Sequence, residues 1–408
     1  MSRLRVAMIA PPWLTIPPSG YGGIEAVIEG LLDGLKKLDV DVELFTIKGT
    51  KVPKGVKKHI LYTEEQYKEI HRPNYESLPI VAAHVQFALN YIKEKGEFDV
   101  IHDHNVYVGP QILAAATADK SLPPAIHTLH GPPFSNDAML AQGLPDNKLF
   151  WRQLGKNMGR LFMVGISDTL MSMAPSTLKH AILPTVYNAL DVTHFPFVEK
   201  KKDYFITLAR FAHDKGQHTA VKICAALGYR LRMAGTVAGI GTNRRLLLEL
   251  ANPLSSYRQA DDFRYYSDQI LPLTVRNRKI TYVGNVTGKR KLTFISEAKA
   301  LLFPIDWEEP FGMAVIEALA CGTPVVAMNR GAMPEIIQHG YNGFLANNEQ
   351  EFAEYMQRID EIYPEDCRQS VEEFFSADAM AKAYVERYKE AIRRSKATRK
   401  KPKKSSHS

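Results

Sequence analysis

Twice along this chain, short apolar runs alternate with helices that carry one apolar stripe, and this alternation constrains the fold more than any other feature. The first series runs "RVAMIA", "DVELFTI", "FDVIHDH", "PAIHTLHG" and "LFMVGIS". Between the first two lies "IEAVIEGLLDGLKKL", where Ile24, Val27, Ile28, Leu31, Leu32, Leu35 and Leu38 recur at the spacing of one helix face. Strands joined by helices run parallel, and a parallel sheet is covered on both faces, so its strands are apolar throughout. The rhythm restarts after "VYNALDVTHFP" with "YFITLAR", "QHTAVKICAAL", "YRLRMAG", "KITYVG", "KLTFISEA" and "ALLFPI". The expected fold is α/β, two doubly wound domains facing each other across a central cleft. A chain of 408 residues has room for two such cores. The expected boundaries are residues 1–192 and 193–375 for the domains, 376–393 for a C-terminal helix and 394–408 for a basic disordered tail.

The charge balance depends on that tail. From Arg393 onward there are eight Lys or Arg and no acid, so residues 1–392 carry 44 charges of each sign. A neutral body argues against a nucleic-acid groove. The tail itself could add weak attraction to an anionic membrane surface. Cys224, Cys321 and Cys367 form no CxxC pair, which excludes a zinc ribbon or a disulfide framework and fits a reducing compartment. "LRVAMIAPPW" is too short for a signal peptide, and no apolar run is long enough to span a membrane, so the expected location is cytoplasmic.

In doubly wound sheets ligands bind beyond the carboxyl ends of the strands. "WEEPFGMAVIEALACGTPVVAM" lies there, after "ALLFPID", and reads as a loop, a helix, a glycine stop and a strand. Between Met313 and Met328 every residue is apolar or small except Thr323 and Glu317. A carboxylate in so apolar a helix needs a partner or a ligand; a salt bridge with Arg330 is one explanation. Glu309 precedes the helix and Glu317 falls in its second turn, so both can face one pocket, while Glu308 reads as a solvated neighbour. "LARFAHDKG" follows a strand and supplies Arg210 and Lys215, two cations able to stabilise a departing diphosphate. "PPSGYGGIE" places Gly20, Gly22 and Gly23 before a helix, where backbone can approach a phosphate.

Glu309 and Glu317, with seven residues between them within "EEPFGMAVIEALACGTPVVAMNRGAMPEII", together with "GYNGFLANN", resemble the signature of the family 4 retaining glycosyltransferases. The resemblance implies the GT-B fold, two Rossmann-like domains with the acceptor on the N-terminal side and the nucleotide sugar on the C-terminal side. It implies a metal-independent hexosyl transfer from a nucleotide-diphosphate sugar to a carbohydrate or other hydroxyl acceptor, with no further cofactor. By the same resemblance Glu317 would bond the donor ribose. Glu309 and the amides of Phe311, Gly312 and Met313 would hold the sugar hydroxyls. Arg210 and Lys215 match "GR…KG", although Ala209 stands where the family usually has Gly. Gly22 and Gly23 are similar to the family's N-terminal glycine loop, and "YGGIE" resembles a bacterial subgroup. His130 in "TLHG" matches the active-site histidine, whereas His127 reads as a satisfied polar residue at a strand end.

Two alternatives come from other classes. His102 and His104 in "IHDHN" share one strand face and could begin the metal site of a hydrolase, but no further ligands follow at matching places. A GT-B protein that binds a nucleotide sugar without transferring it is the other. "AGTVAGIGTNRR" does not spell a dinucleotide fingerprint.

Overall fold

The structure is a computed structural model that describes residues 3–18, 22–68, 74–131, 134 and 146–397. The chain forms two compact units, residues 1–189 with 377–408, and residues 190–376. Each contains one six-stranded, wholly parallel sheet.

The first sheet consists of β1 (Arg5–Ile9), β2 (Asp41–Thr46), β3 (Lys57–Ile60), β4 (Val100–Asp103), β5 (Ala125–Leu129) and β6 (Leu161–Gly165), in the order β3-β2-β1-β4-β5-β6. The second consists of β7 (Lys202–Leu208), β8 (Leu231–Ala234), β9 (Ile280–Tyr282), β10 (Ala298–Phe303), β11 (Val325–Met328) and β12 (Gly343–Ala346), in the order β12-β11-β10-β7-β8-β9. Val6, Ala7, Met8 and Ile9 of β1, and Leu301 and Leu302 of β10, are buried because helices cover both faces. In each unit the first strand lies mid-sheet: the chain builds outward on one side, then returns to build on the other. The switch points fall between β1 and β4 and between β7 and β10, where loops on the carboxyl side diverge and leave a crevice.

Two strands escaped the periodicity. β3 reads "KKHI" and is largely exposed, an edge strand whose lysines discourage pairing with another chain. β12 lies inside "GYNGFLANN", where glycine and asparagine signal a turn; it forms because Gly343 to Ala346 pair with all four residues of β11.

The C-terminal helix runs from Ala377 to Ala397 and belongs to the first unit. It therefore continues past residue 393, into the stretch expected to be disordered. The basic run is tolerated because Arg393 and Arg394 both reach Glu390, at 3.0 and 2.7 Å, and Ser395 is buried. The rest of the tail, residues 398–408, lies outside the described residues. The helix packs on Gly23–Lys37, and Lys37 meets Asp378 at 2.7 Å. The approach is close at Gly34, where a Cβ would sit 2.5 Å from the Ala377 carbonyl oxygen and 2.6 Å from Ala381 Cβ. Gly34→Val should therefore destabilise the first unit by about 1–3 kcal/mol through overpacking. Circular-dichroism melting should show a lowered midpoint. Gly30→Ala is the control, since its Cβ would find its nearest neighbour at 3.8 Å; equal midpoints for the two variants would refute the packing argument.

Candidate active site

In the second unit, β7 and β10 are neighbours at the switch point, and their carboxyl ends lead into the two loops that carry the expected site. The Asp306 amide donates to the Asp214 carbonyl at 2.8 Å and ties these loops together. Lys215 Nζ donates to Glu309 Oε2 at 2.7 Å and stands 4.3 Å from the centre of the Trp307 ring. Trp307 Nε1 donates to the same carboxylate oxygen at 3.0 Å. The Lys215 and Glu309 side chains are each 14% exposed, so their attraction is screened less than that of a surface pair. Arg210, 52% exposed, grips both oxygens of Asp262 at 3.1 and 2.9 Å. It also lies 3.7 Å from Asp214 Oδ1, while Lys215 Nζ lies 3.8 Å from Asp214 Oδ2. The two cations thus bracket one carboxylate, and the structure brings them together.

The helix Met313–Ala320 follows, with Gly312 at its N-cap in a left-handed conformation. The first amides of a helix have no helical carbonyl to bond and can serve a ligand. Phe311 is buried and meets Phe375 edge-on at 5.9 Å, which anchors the entry to the helix. Glu317 is not enclosed by the core: Val315, Ile316, Ala318 and Leu319 take the buried side, and its carboxylate is 14% exposed. Its partner is Lys291, at 2.6 Å. Arg330, the partner considered from sequence, instead meets Asp306 at 3.2 Å. Glu308 is not merely solvated either, since its Oε2 accepts the Gly331 amide at 2.7 Å.

In the first unit, Gly22 precedes the helix Gly23–Lys37 and its carbonyl accepts the Ala26 amide at 3.1 Å. A Cβ added at Gly23 would meet no described atom within 4 Å. Glu25 in the same turn is buried, which raises its pKa. Gly20 lies outside the described residues. His130, half-buried after β5, has Nε2 2.8 Å from Nδ1 of the fully buried His104. Both ring nitrogens of His102 are engaged, by the Tyr388 hydroxyl at 2.7 Å and Thr128 Oγ1 at 2.8 Å, so neither is available to a metal. His127 bonds Asp103 at 2.6 Å and is fully buried. Desolvation pushes the pKa of His130 down to about 3 and those of His102 and His104 well below the usual histidine value, so these rings are neutral at neutral pH. Among the described residues, no group of three or more His, Cys, Asp or Glu is placed to hold a metal ion.

The residues expected from sequence therefore fall into two groups. Arg210, Lys215, Glu309, Phe311, Gly312, Met313 and Glu317 lie in the second unit, and Gly22, Gly23 and His130 in the first. Sequence reasoning missed Lys291, Asp262, the part played by Trp307, and His104 as the partner of His130. Trp307 could have been noticed, since it stands inside the motif. Lys291 and Asp262 lie 26 and 52 residues from their partners, and no spacing links them.

Family models match both halves of the chain: Glycosyltransferase Family 4 over residues 21–167 and Glycosyl transferases group 1 over residues 193–373. The chain is a GT-B glycosyltransferase. This glycosyltransferase is 22% identical to an uncharacterized glycosyltransferase of Methanocaldococcus jannaschii, over 90% of its own length and 89% of the relative's. Sucrose-phosphate synthase of Thermosynechococcus elongatus superimposes with a TM-score of 0.69 at 18% identity, covering 96% of this chain and 100% of that one. HepE of Anabaena, solved in complex with UDP-glucose, gives 0.62 at 15% identity, covering 95% and 100%. At such identities the likeness shows the fold, and it agrees with the expected pair of doubly wound sheets. Among the described residues no helix is long and apolar enough to cross a membrane.

Proposed function

We propose that this glycosyltransferase moves a sugar from a nucleotide-diphosphate sugar to a hydroxyl acceptor, with retention of configuration and without a metal ion. The observation that carries the reading is the pair Arg210 and Lys215 bracketing the Asp214 carboxylate beyond β7. Two cations held around an anion at a switch point offer a place where diphosphate oxygens can take over from protein carboxylates. That a similar fold, HepE, was solved with UDP-glucose supports this class of donor.

In the reaction the bond from the sugar's anomeric carbon to the diphosphate breaks, and negative charge collects on the leaving oxygens. Arg210 and Lys215 stabilise that charge. Glu309, oriented by Lys215 and Trp307, accepts from sugar hydroxyls beside the amides of Phe311, Gly312 and Met313. Glu317 accepts from the ribose, and Lys291 holds its carboxylate in place. His130, in the first unit, is assigned to the sugar by the resemblance. For retention, the acceptor oxygen approaches the face that the leaving group departs, and a phosphate oxygen takes its proton. The carboxylates here are poor nucleophiles because cations hold them: Glu309 by Lys215, Glu317 by Lys291 and Asp262 by Arg210.

A screen of UDP-, GDP- and ADP-sugars for nucleotide release tests the reading. With the best donor, Glu317→Ala should raise the donor KM about 10–100-fold, the loss expected for hydrogen bonds to a charged group. Silence from every donor, or a donor KM unmoved in Glu317→Ala, would rule the reading out.

A further inference from the structure

We propose that His104 is a positioning residue for the transfer: it fixes the tautomer of His130, so that neutral His130 carries its proton on Nδ1 and offers that N–H as a donor. The tautomer stands on hydrogen bonds within the first unit. Only its effect on turnover rests on the reading of His130 given above.

His104 is held from several directions. Its amide donates to the Ile9 carbonyl at 3.1 Å, which fixes its backbone against β1. One face of its ring packs on His102, with centroids 4.2 Å apart, and His102 is itself pinned by Tyr388 and Thr128. Thr128 in turn bonds the Tyr384 hydroxyl at 2.8 Å, so the C-terminal helix braces the stack from behind. The rings of His104 and His130 lie edge to edge, with centroids 5.1 Å apart and planes at 26°, as a hydrogen bond in the ring plane requires.

Within this packing the two nitrogens of His104 differ. Nδ1 faces His130 Nε2 at 2.8 Å, whereas Nε2 is buried and has no hydrogen-bond partner among the described residues. A neutral imidazole has one proton to place. On Nε2 it would be a buried N–H with no acceptor, a rare and costly state; an unmet lone pair there is better tolerated. The proton therefore sits on Nδ1, and His104 donates to His130 Nε2. That bond occupies the lone pair of His130 Nε2 and leaves its single proton on Nδ1. Among the described residues none takes His130 Nδ1 in a hydrogen bond, and the residue is only partly buried. The outcome is a neutral donor with no free lone pair, unsuited to act as a base. This fits a transfer in which a phosphate oxygen receives the acceptor's proton.

The nearby charged groups do not upset the assignment. Asp103 is taken by His127 and Asn105, at 2.6 and 2.8 Å.

Long-range ¹H–¹⁵N correlation on histidine-labelled full-length protein reads the tautomers directly and requires no activity. His130, assigned by loss of its signals in His130→Asn, should show the Nδ1–H pattern. In His104→Phe that pattern should collapse to a mixture, and kcat should fall about 10-fold, the loss of one oriented hydrogen bond, with donor KM within about two-fold. His104→Asn places an amide donor near the old Nδ1 and should restore both the tautomer and most of kcat. An Nε2–H pattern in the wild type, or an unchanged pattern in a folded His104→Phe, would overturn the proposal. A shifted tautomer with unchanged kcat would overturn the positioning role and leave the donor reading standing. Failure of that reading would instead appear as wild-type protein releasing no nucleotide from any donor.

Discussion

Lys215→Ala is expected to lower kcat by about 10²–10³, the scale on which a single oriented group stabilises charge that develops in a transition state. The site amplifies the loss. Lys215 lies over the Trp307 ring, bonds Glu309 and reaches toward Asp214, so its ammonium is the hub of three contacts. Without it Glu309 keeps only the Trp307 indole among these partners, and a 14% exposed carboxylate loses its countercharge. Effects at Lys215 and Glu309 should therefore not add, since groups in one network couple. Adding Glu309→Gln to Lys215→Ala should cost much less than it costs alone. Lys215→Arg should recover little, because a planar fork does not replace a point charge set between a ring face and one carboxylate oxygen. Steady-state kinetics with the best donor measures all of this; a kcat within about three-fold of wild type for Lys215→Ala would remove the lysine from the mechanism.

Gly216→Ala is expected to produce the largest loss of stability. Gly216 has φ 66°, and an added Cβ would lie 1.8 Å from the Pro304 carbonyl oxygen and 2.8 Å from its carbon. Both are backbone atoms, just beyond β10, so the clash cannot be relieved by turning a side chain. The Arg210–Lys215 turn must then move away from the loop that carries Glu309, against the Asp306–Asp214 bond that ties them. Left-handed strain and overpacking together cost about 3 kcal/mol or more. For a unit of this size that is a fall in melting midpoint of roughly 6–12 °C. Donor kcat/KM should fall with it, because separating the loops pulls Lys215 from Glu309. A melting midpoint equal to wild type would show that the loops adjust freely.

The sequence carried the fold because hydrophobic periodicity is local. β1, β7 and β10 and the helices Gly23–Lys37 and Met313–Ala320 could all be read from a few consecutive residues. It missed β3 and β12, since one is nearly all exposed and the other is written in turn residues. It also stopped the C-terminal helix too early, because a run of positive charge reads as disorder unless the acid one turn back is counted.

At the site the division is similar. Arg210, Lys215, Glu309 and Glu317 stand in compact motifs beside strand ends, so their place at the carboxyl edge follows from strand order alone. Charge pairing does not, because it depends on distance in space. Glu317 could have met Arg330, thirteen positions on, and instead met Lys291, twenty-six positions back. The same holds for His104, which reads as half of a metal pair until the ring nitrogens of His102 are found to be occupied. The sequence by itself determined the two sheets, the family signature and the chemical groups on offer. Only the tertiary structure decided which cation holds which acid and which histidine nitrogen carries the proton. Those choices are made by contacts between distant segments, and no local pattern records them.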